Sequence, residues 1–107
     1  MINIPNQIYM LEKYGYNEQE RLAMEECSEL IQAINKAHRA EAKGEAIHHL
    51  TEEIADVLIM IEQLKLIYEI DDGDIQRWVN YKQERQFKRM NQYAGEYADM
   101  PTFQSAT

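Results

Sequence analysis

Between His48 and Tyr68 the chain reads HHLTEEIADVLIMIEQLKLIY, a nearly unbroken apolar run into which two acids, Glu53 and Asp56, are set. On a helix, residues three apart share one face with Cβ atoms about 5–6 Å apart, so this pair forms a double carboxylate site. Met60 and Ile67 continue the same line of the helix, while Val57, Leu58, Ile61, Leu64 and Tyr68 cover other sides. A helix apolar almost all the way round is expected to be enclosed by partners. Upstream, LAMEECSELI carries Glu25, Glu26 and Glu29, with the same three-residue step from Glu26 to Glu29. Two such acid pairs on two helices constrain the fold, because an arrangement that buries one helix must also house its carboxylates.

The rest of the composition points to an all-α chain. At 107 residues it is one domain, and 45% apolar residues suffice for a core. Two prolines, four glycines and few windows of period two favour helices over strands. A net charge of −8 argues against a nucleic-acid binder, which needs a basic face for phosphates. Cys27 is the single cysteine, which excludes a disulfide framework and suits a reducing compartment. The start, MINIPNQIYM, lacks the features of a signal peptide, and no apolar run reaches membrane-spanning length. The expectation is a cytoplasmic protein, or a viral one acting in the host cytoplasm, with no membrane partner.

Along the chain, Pro5 to Tyr14 reads as a short helix docked by Ile8, Met10 and Leu11 and ended by Gly15. Asn17 followed by Glu20 resembles a capping box, so a long helix is expected from about Glu18. Its packed face is expected at Ala23, Cys27, Leu30, Ile31 and Ile34, with Glu25, Glu26 and Glu29 opposite and Glu26 nearest the boundary. Apolar periodicity lapses from Ala37 to Glu45, where Gly44 reads as a turn residue. The next helix is expected over Ala46 to Ile70, stopped by DDGD, after which Asp74 would cap a last helix ending near Tyr93. If the two long helices pair as an antiparallel hairpin, the acid pairs must be equidistant from the turn. The first of them must then end near His38 to Ala40. Residues 1–93 form the expected domain and 94–107 a tail.

Four carboxylates converging on one cleft would repel by about 3 kcal/mol per pair at 5 Å and an effective dielectric near 20. Summed over pairs, the cost is about 10 kcal/mol, comparable with the whole stability of a small domain. Such a cluster protonates or binds cations. An all-oxygen site suits Mg²⁺ or Mn²⁺, whose remaining ligands are often substrate phosphates. The last helix brings Arg77, Lys82, Arg85, Lys88 and Arg89, five of eleven basic residues, as a complement for phosphate. Glu25 is the carboxylate best placed to position or deprotonate an attacking water.

The run EECSE at Glu25 to Glu29, a gap of 23 residues and EIAD at Glu53 to Asp56 resemble the E-E-x-x-E … E-x-x-D signature of MazG-like nucleotide pyrophosphohydrolases. These are members of the all-α NTP pyrophosphatase superfamily. NYKQER, with Asn80, Lys82 and Arg85, is similar to the N-x-K-x-x-R-like segment that follows in that family. The resemblance spans Leu22 to about Arg89. It implies Mg²⁺-dependent cleavage of a nucleoside triphosphate between its α and β phosphates. Glu26, Glu29, Glu53 and Asp56 would then hold metal, while Asn80, Lys82 and Arg85 would bind substrate. It also implies homodimers or homotetramers of helical hairpins, giving a four-helix-bundle-like core by oligomerisation.

Blander readings compete. Glu25, Glu26 and Glu29 alone read better as a solvated helix face. Glu53 and Asp56 do not, because a solvated face does not usually continue into Met60 and Ile67. Glu45 and His48 form an E-x-x-H motif, but a di-iron bundle needs two of these plus two further glutamates. Lys88 and Arg89 also suit the C-terminal end of a helix dipole, packing is the expected use of Trp78 and Tyr81, and the methionines read as core filler. The functional alternative to an enzyme is a non-catalytic helical module that oligomerises or senses nucleotide or metal.

Overall fold

The computed structural model describes residues 1–94, the side chains of 92–94 excepted, so the expected tail lies outside the described residues beyond residue 94. Four helices follow in order, α1 (Ile4–Tyr14), α2 (Tyr16–Arg39), α3 (Gly44–Ile67) and α4 (Asp72–Ala94). The all-α expectation holds. Met1–Ile70 form one compact unit, and α4 belongs to a second.

Helix α1 starts where Pro5 fits the first turn and Asn3 caps it, its side chain accepting from the Asn6 amide at 3.0 Å. Of the three apolar residues expected to dock it, Leu11 is buried, Met10 half-buried and Ile8 exposed. A single residue joins α1 to α2. The Gly15 amide donates to the Leu11 carbonyl at 2.9 Å, and its own carbonyl accepts from Gln19 at 3.2 Å. With φ 88° and ψ 158° it occupies backbone space open essentially to glycine alone. The start of α2 therefore differs from the capping-box expectation. Gly15 is the N-cap without a side-chain cap, and Asn17 and Glu20 lie inside the helix.

Helix α2 ends at Arg39, within the limits set by the hairpin register. Its last turn leaves carbonyls without intrahelical partners, and Lys43 from the connecting loop donates to one of them, Ala37, at 2.7 Å. Gly44 is not a turn residue but the first residue of α3, a position whose amide has no intrahelical bond to lose. At the other end α3 stops at Ile67, three residues before Ile70. Glu69 enters the left-handed region at φ 52°, and the Ile70 amide bonds back to the Lys65 carbonyl at 2.9 Å. This is a Schellman-type ending with glutamate where glycine is usual. At the head of α4, Asp71 acts in place of Asp74. Its Oδ2 accepts from the Gly73 amide at 3.1 Å and its carbonyl from the amides of Asp74 and Ile75, while Asp74 pairs with Arg77.

The first unit is organised by α2 against α3, with α1 laid on both. Its buried apolar side chains among the described residues are few, namely Leu11, Ala23, Ala33 and Met60. Gln19, Glu53 and Gln63 are buried with them. Gln19 Nε2 donates to Gln63 Oε1 at 2.6 Å, and Gln63 Nε2 donates to Gln7 Oε1 at 2.7 Å, so amides tie all three helices together.

The packed face of α2 is turned from the one expected. It runs through Gln19, Ala23, Glu26, Leu30 and Ala33, the spacing of one helical stripe, and Cys27, Ile31 and Ile34 are exposed. Ala23 and Leu30 of the expected face do pack, but Ala33 takes the place expected of the bulkier Ile31 and Ile34, and the small residues let the helices approach. Glu26 thereby comes inside. On α3, Ile47, Ile54, Leu58 and Ile61 form an exposed apolar stripe at spacings of seven, four and three. Among the described methionines Met60 fills core, while Met24 and Met90 are exposed.

Candidate functional site

The face that closes the hairpin carries its acids into one place. On α3, Glu53 is 6% exposed and Asp56, one turn on, is half-buried. Met60 beyond them is buried, so the line read from the sequence is the line that packs. On α2, Glu26 is half-buried and faces them. One carboxylate oxygen from each of Glu26, Glu53 and Asp56 falls within 4.8 Å of the others.

The electrostatics of this triad follow from its geometry. Unit charges at such distances repel by about 3 kcal/mol per pair at an effective dielectric near 20. Burial, first, and then the charges of Glu29, Asp56 and Glu53, together with a hydrogen bond to Glu53, push the Glu26 carboxyl up to about 7. Near neutral pH a proton therefore occupies part of the cluster's capacity for positive charge. Even so, Glu26 Oε2 and Glu53 Oε2 are buried without a hydrogen-bond partner. A buried acceptor left unsatisfied costs about 1–3 kcal/mol, more when charged, so such atoms call for an ion or a water.

The donor set decides what could fill that need. Oxygen ligands alone fit a hard divalent cation such as Mg²⁺ or Mn²⁺ and offer nothing to a soft thiophilic metal. Three protein carboxylates would leave coordination positions open, as an ion that also binds phosphate requires. The residues present thus fit a divalent ion. His48 and His49 are exposed and do not join the triad.

Other sequence-derived candidates are distributed as follows. Glu29 is exposed and outside the triad, yet its charge is the largest coulombic contribution to the raised Glu26 carboxyl. Glu25 is exposed on α2. Asn80, Lys82 and Arg85 belong to α4 and are exposed there. On that helix Asn80 Oδ1 accepts from Gln76 at 2.9 Å, the Lys82 ammonium lies 5.9 Å from the Trp78 ring centre, and the Arg85 guanidinium 5.8 Å from that of Tyr81. Trp78 and Tyr81, expected to pack, are exposed with their rings edge to face at 6.0 Å. The buried glutamines escaped the sequence reading. Gln63 interrupts the same apolar run as the acids, and that interruption was the available signal.

No helix among the described residues is long and apolar enough to cross a membrane. No curated protein and no solved structure gives a significant match to the chain. A family model described as the MazG nucleotide pyrophosphohydrolase domain matches residues 16–88, which takes in α2, α3 and most of α4. With that match over most of the chain, and with acids from two of the matched helices meeting in one partly buried cluster, the protein belongs to the MazG nucleotide pyrophosphohydrolase family.

Proposed function

We propose that this protein is a Mg²⁺-dependent pyrophosphohydrolase that cleaves a nucleoside or deoxynucleoside triphosphate between its α and β phosphates, releasing the monophosphate and pyrophosphate. The observation that carries this reading is the triad Glu26, Glu53 and Asp56, with two buried oxygens unsatisfied. Membership of the family supplies the substrate class.

In this reading Glu26, Glu53 and Asp56 hold the ion, and Glu29, at the solvent edge, adds the fourth carboxylate. When bound, Mg²⁺, or Mn²⁺ in its place, supplies charge neutralisation at the phosphate oxygens. Glu25, exposed and next to a ligand in sequence, orients the attacking water and takes its proton. Asn80, Lys82 and Arg85 bind the triphosphate. Lys82 serves as a point charge, and Arg85 offers the planar fork suited to phosphate. The half-protonated state of Glu26 near pH 7 means that ion binding releases a proton.

The exposed stripe of Ile47, Ile54, Leu58 and Ile61 supports assembly as a homodimer or homotetramer, in which a second hairpin completes a four-helix core. The role that fits is housekeeping of the nucleotide pool in the cytoplasm, acting on standard or modified nucleotides. The test is a panel of NTPs and dNTPs with Mg²⁺ or Mn²⁺ and detection of pyrophosphate. Turnover of at least one substrate is expected, abolished by EDTA and by Asp56→Asn. A folded protein that binds metal and turns over none of the panel would overturn the reading.

A further inference from the structure

Gln63 is 1% exposed, and both ends of its amide are engaged, Oε1 by Gln19 of α2 and Nε2 with Gln7 of α1. Its place relative to the acids is regular. Gln63 follows Asp56 by seven residues on α3, and Gln19 precedes Glu26 by seven on α2. Seven residues are nearly two turns and about 10.5 Å of rise, with only about 20° of drift. In an antiparallel hairpin the glutamine pair and the Glu26–Asp56 pair therefore share one stripe and one register. Any slide of α3 along α2 displaces both pairs equally.

Few fully buried apolar side chains oppose such a slide. Helices α2 and α3 contribute Ala23, Ala33 and Met60, of which the alanines make shallow knobs, while Leu30, Val57 and Leu64 are only half-buried. The acids themselves repel and favour separation. Hydrogen bonds of 2.6 and 2.7 Å, in contrast, tolerate displacements of only a few tenths of an ångström. A slip of one turn, about 5.4 Å, breaks both.

We propose that Gln63 is a positioning residue, the centre of an amide lock through Gln7 and Gln19 that fixes the register of the hairpin and so holds Glu26 against Glu53 and Asp56. This rests on the reading of those acids as a metal site. Gln63 does not touch the ion or the substrate. It acts through the relative placement of two helices, and α1 takes part because Gln7 is the far end of the lock.

The test replaces the lock by apolar groups of similar volume in the full-length protein, Gln7→Leu, Gln19→Met and Gln63→Met together. Removing all partners at once leaves no orphaned amide, so helicity and melting temperature should be retained. Mn²⁺ affinity, followed by the EPR signal of the free ion, should fall tenfold or more, the usual effect of losing support behind metal ligands. Methyl NOEs of Met60 and Ala23 across the hairpin report the register with no metal present and should change or broaden. If the triple variant does not fold, Gln63→Met, which breaks both bonds and keeps the volume, carries the same two expectations. Wild-type affinity together with unchanged NOEs in the folded variant would overturn the lock. Absence of Mn²⁺ binding by the wild-type protein would instead overturn the metal-site reading, and the NOEs alone would then decide the register claim.

Discussion

Glu26 of α2 and Glu53 of α3 bring their carboxyl groups together across the hairpin, share a hydrogen bond, and each retain one buried oxygen without a partner. The pairing costs the protein stability in the absence of a cation. That cost has measurable consequences.

The first concerns pH. The Glu26 carboxyl titrates at about 7 in the folded chain, against an ordinary value of 4.5. Between these values the folded state holds a proton that the unfolded state has released, so stability falls as pH rises from about 4.5 to 7 and then levels. Thermal melts of the metal-free protein should show its melting temperature declining across this window once other carboxylates are accounted for. Saturating Mg²⁺ should raise the melting point most at pH 8 and little at pH 5. An equal Mg²⁺ shift at both values would contradict the assignment.

The substitution Glu53→Gln removes one charge from the cluster and keeps its shape. In the absence of metal at pH 8 it should stabilise the fold by about 1–3 kcal/mol, the scale of one relieved pair repulsion. Metal-dependent pyrophosphate release should meanwhile fall by more than about 100-fold, beyond the loss usual for groups that only support a ligand. Opposite signs for stability and activity distinguish a functional cluster from a structural one. Chemical denaturation and the pyrophosphate assay measure the two.

Gly15 is the only residue between α1 and α2 and sits at φ 88°, ψ 158°. A Cβ there meets no atom within 4 Å, so the cost of Gly15→Ala is backbone strain alone, about 1–3 kcal/mol. Because α1 carries Gln7, Mn²⁺ affinity should weaken along with the melting temperature. Calorimetry and metal titration of the same preparation provide the comparison.

Glu69 presents the converse case. A left-handed C-terminal position at φ 52° suits glycine, and Glu69→Gly should stabilise the protein by about 0.5–1 kcal/mol. The shift should be independent of Mg²⁺, since Glu69 lies more than three turns beyond Asp56. A lower melting point would show that the glutamate side chain has a role there.

Much was decided locally. The helices, their approximate ends and the spacing of Glu53 and Asp56 before Met60 follow from periodicity and from glycine placement, which depend on near neighbours in the chain. Antiparallel register also followed, because equal distance from the turn limits where α2 can end. Local pattern could not say which side of α2 would face α3. Ala23 and Leu30 were legible as packed, but Cys27, Ile31 and Ile34 suggested a face on one side of them and closure through Ala33 selected the other, bringing Glu26 inside and turning those three residues out. The amide lock was equally hidden, because Gln7, Gln19 and Gln63 are distant in sequence and acquire partners only when three helices meet. Spacing along a helix is fixed by 1.5 Å of rise and 100° of turn per residue, whereas the rotation of one helix against another depends on how closely side chains from distant segments allow them to approach.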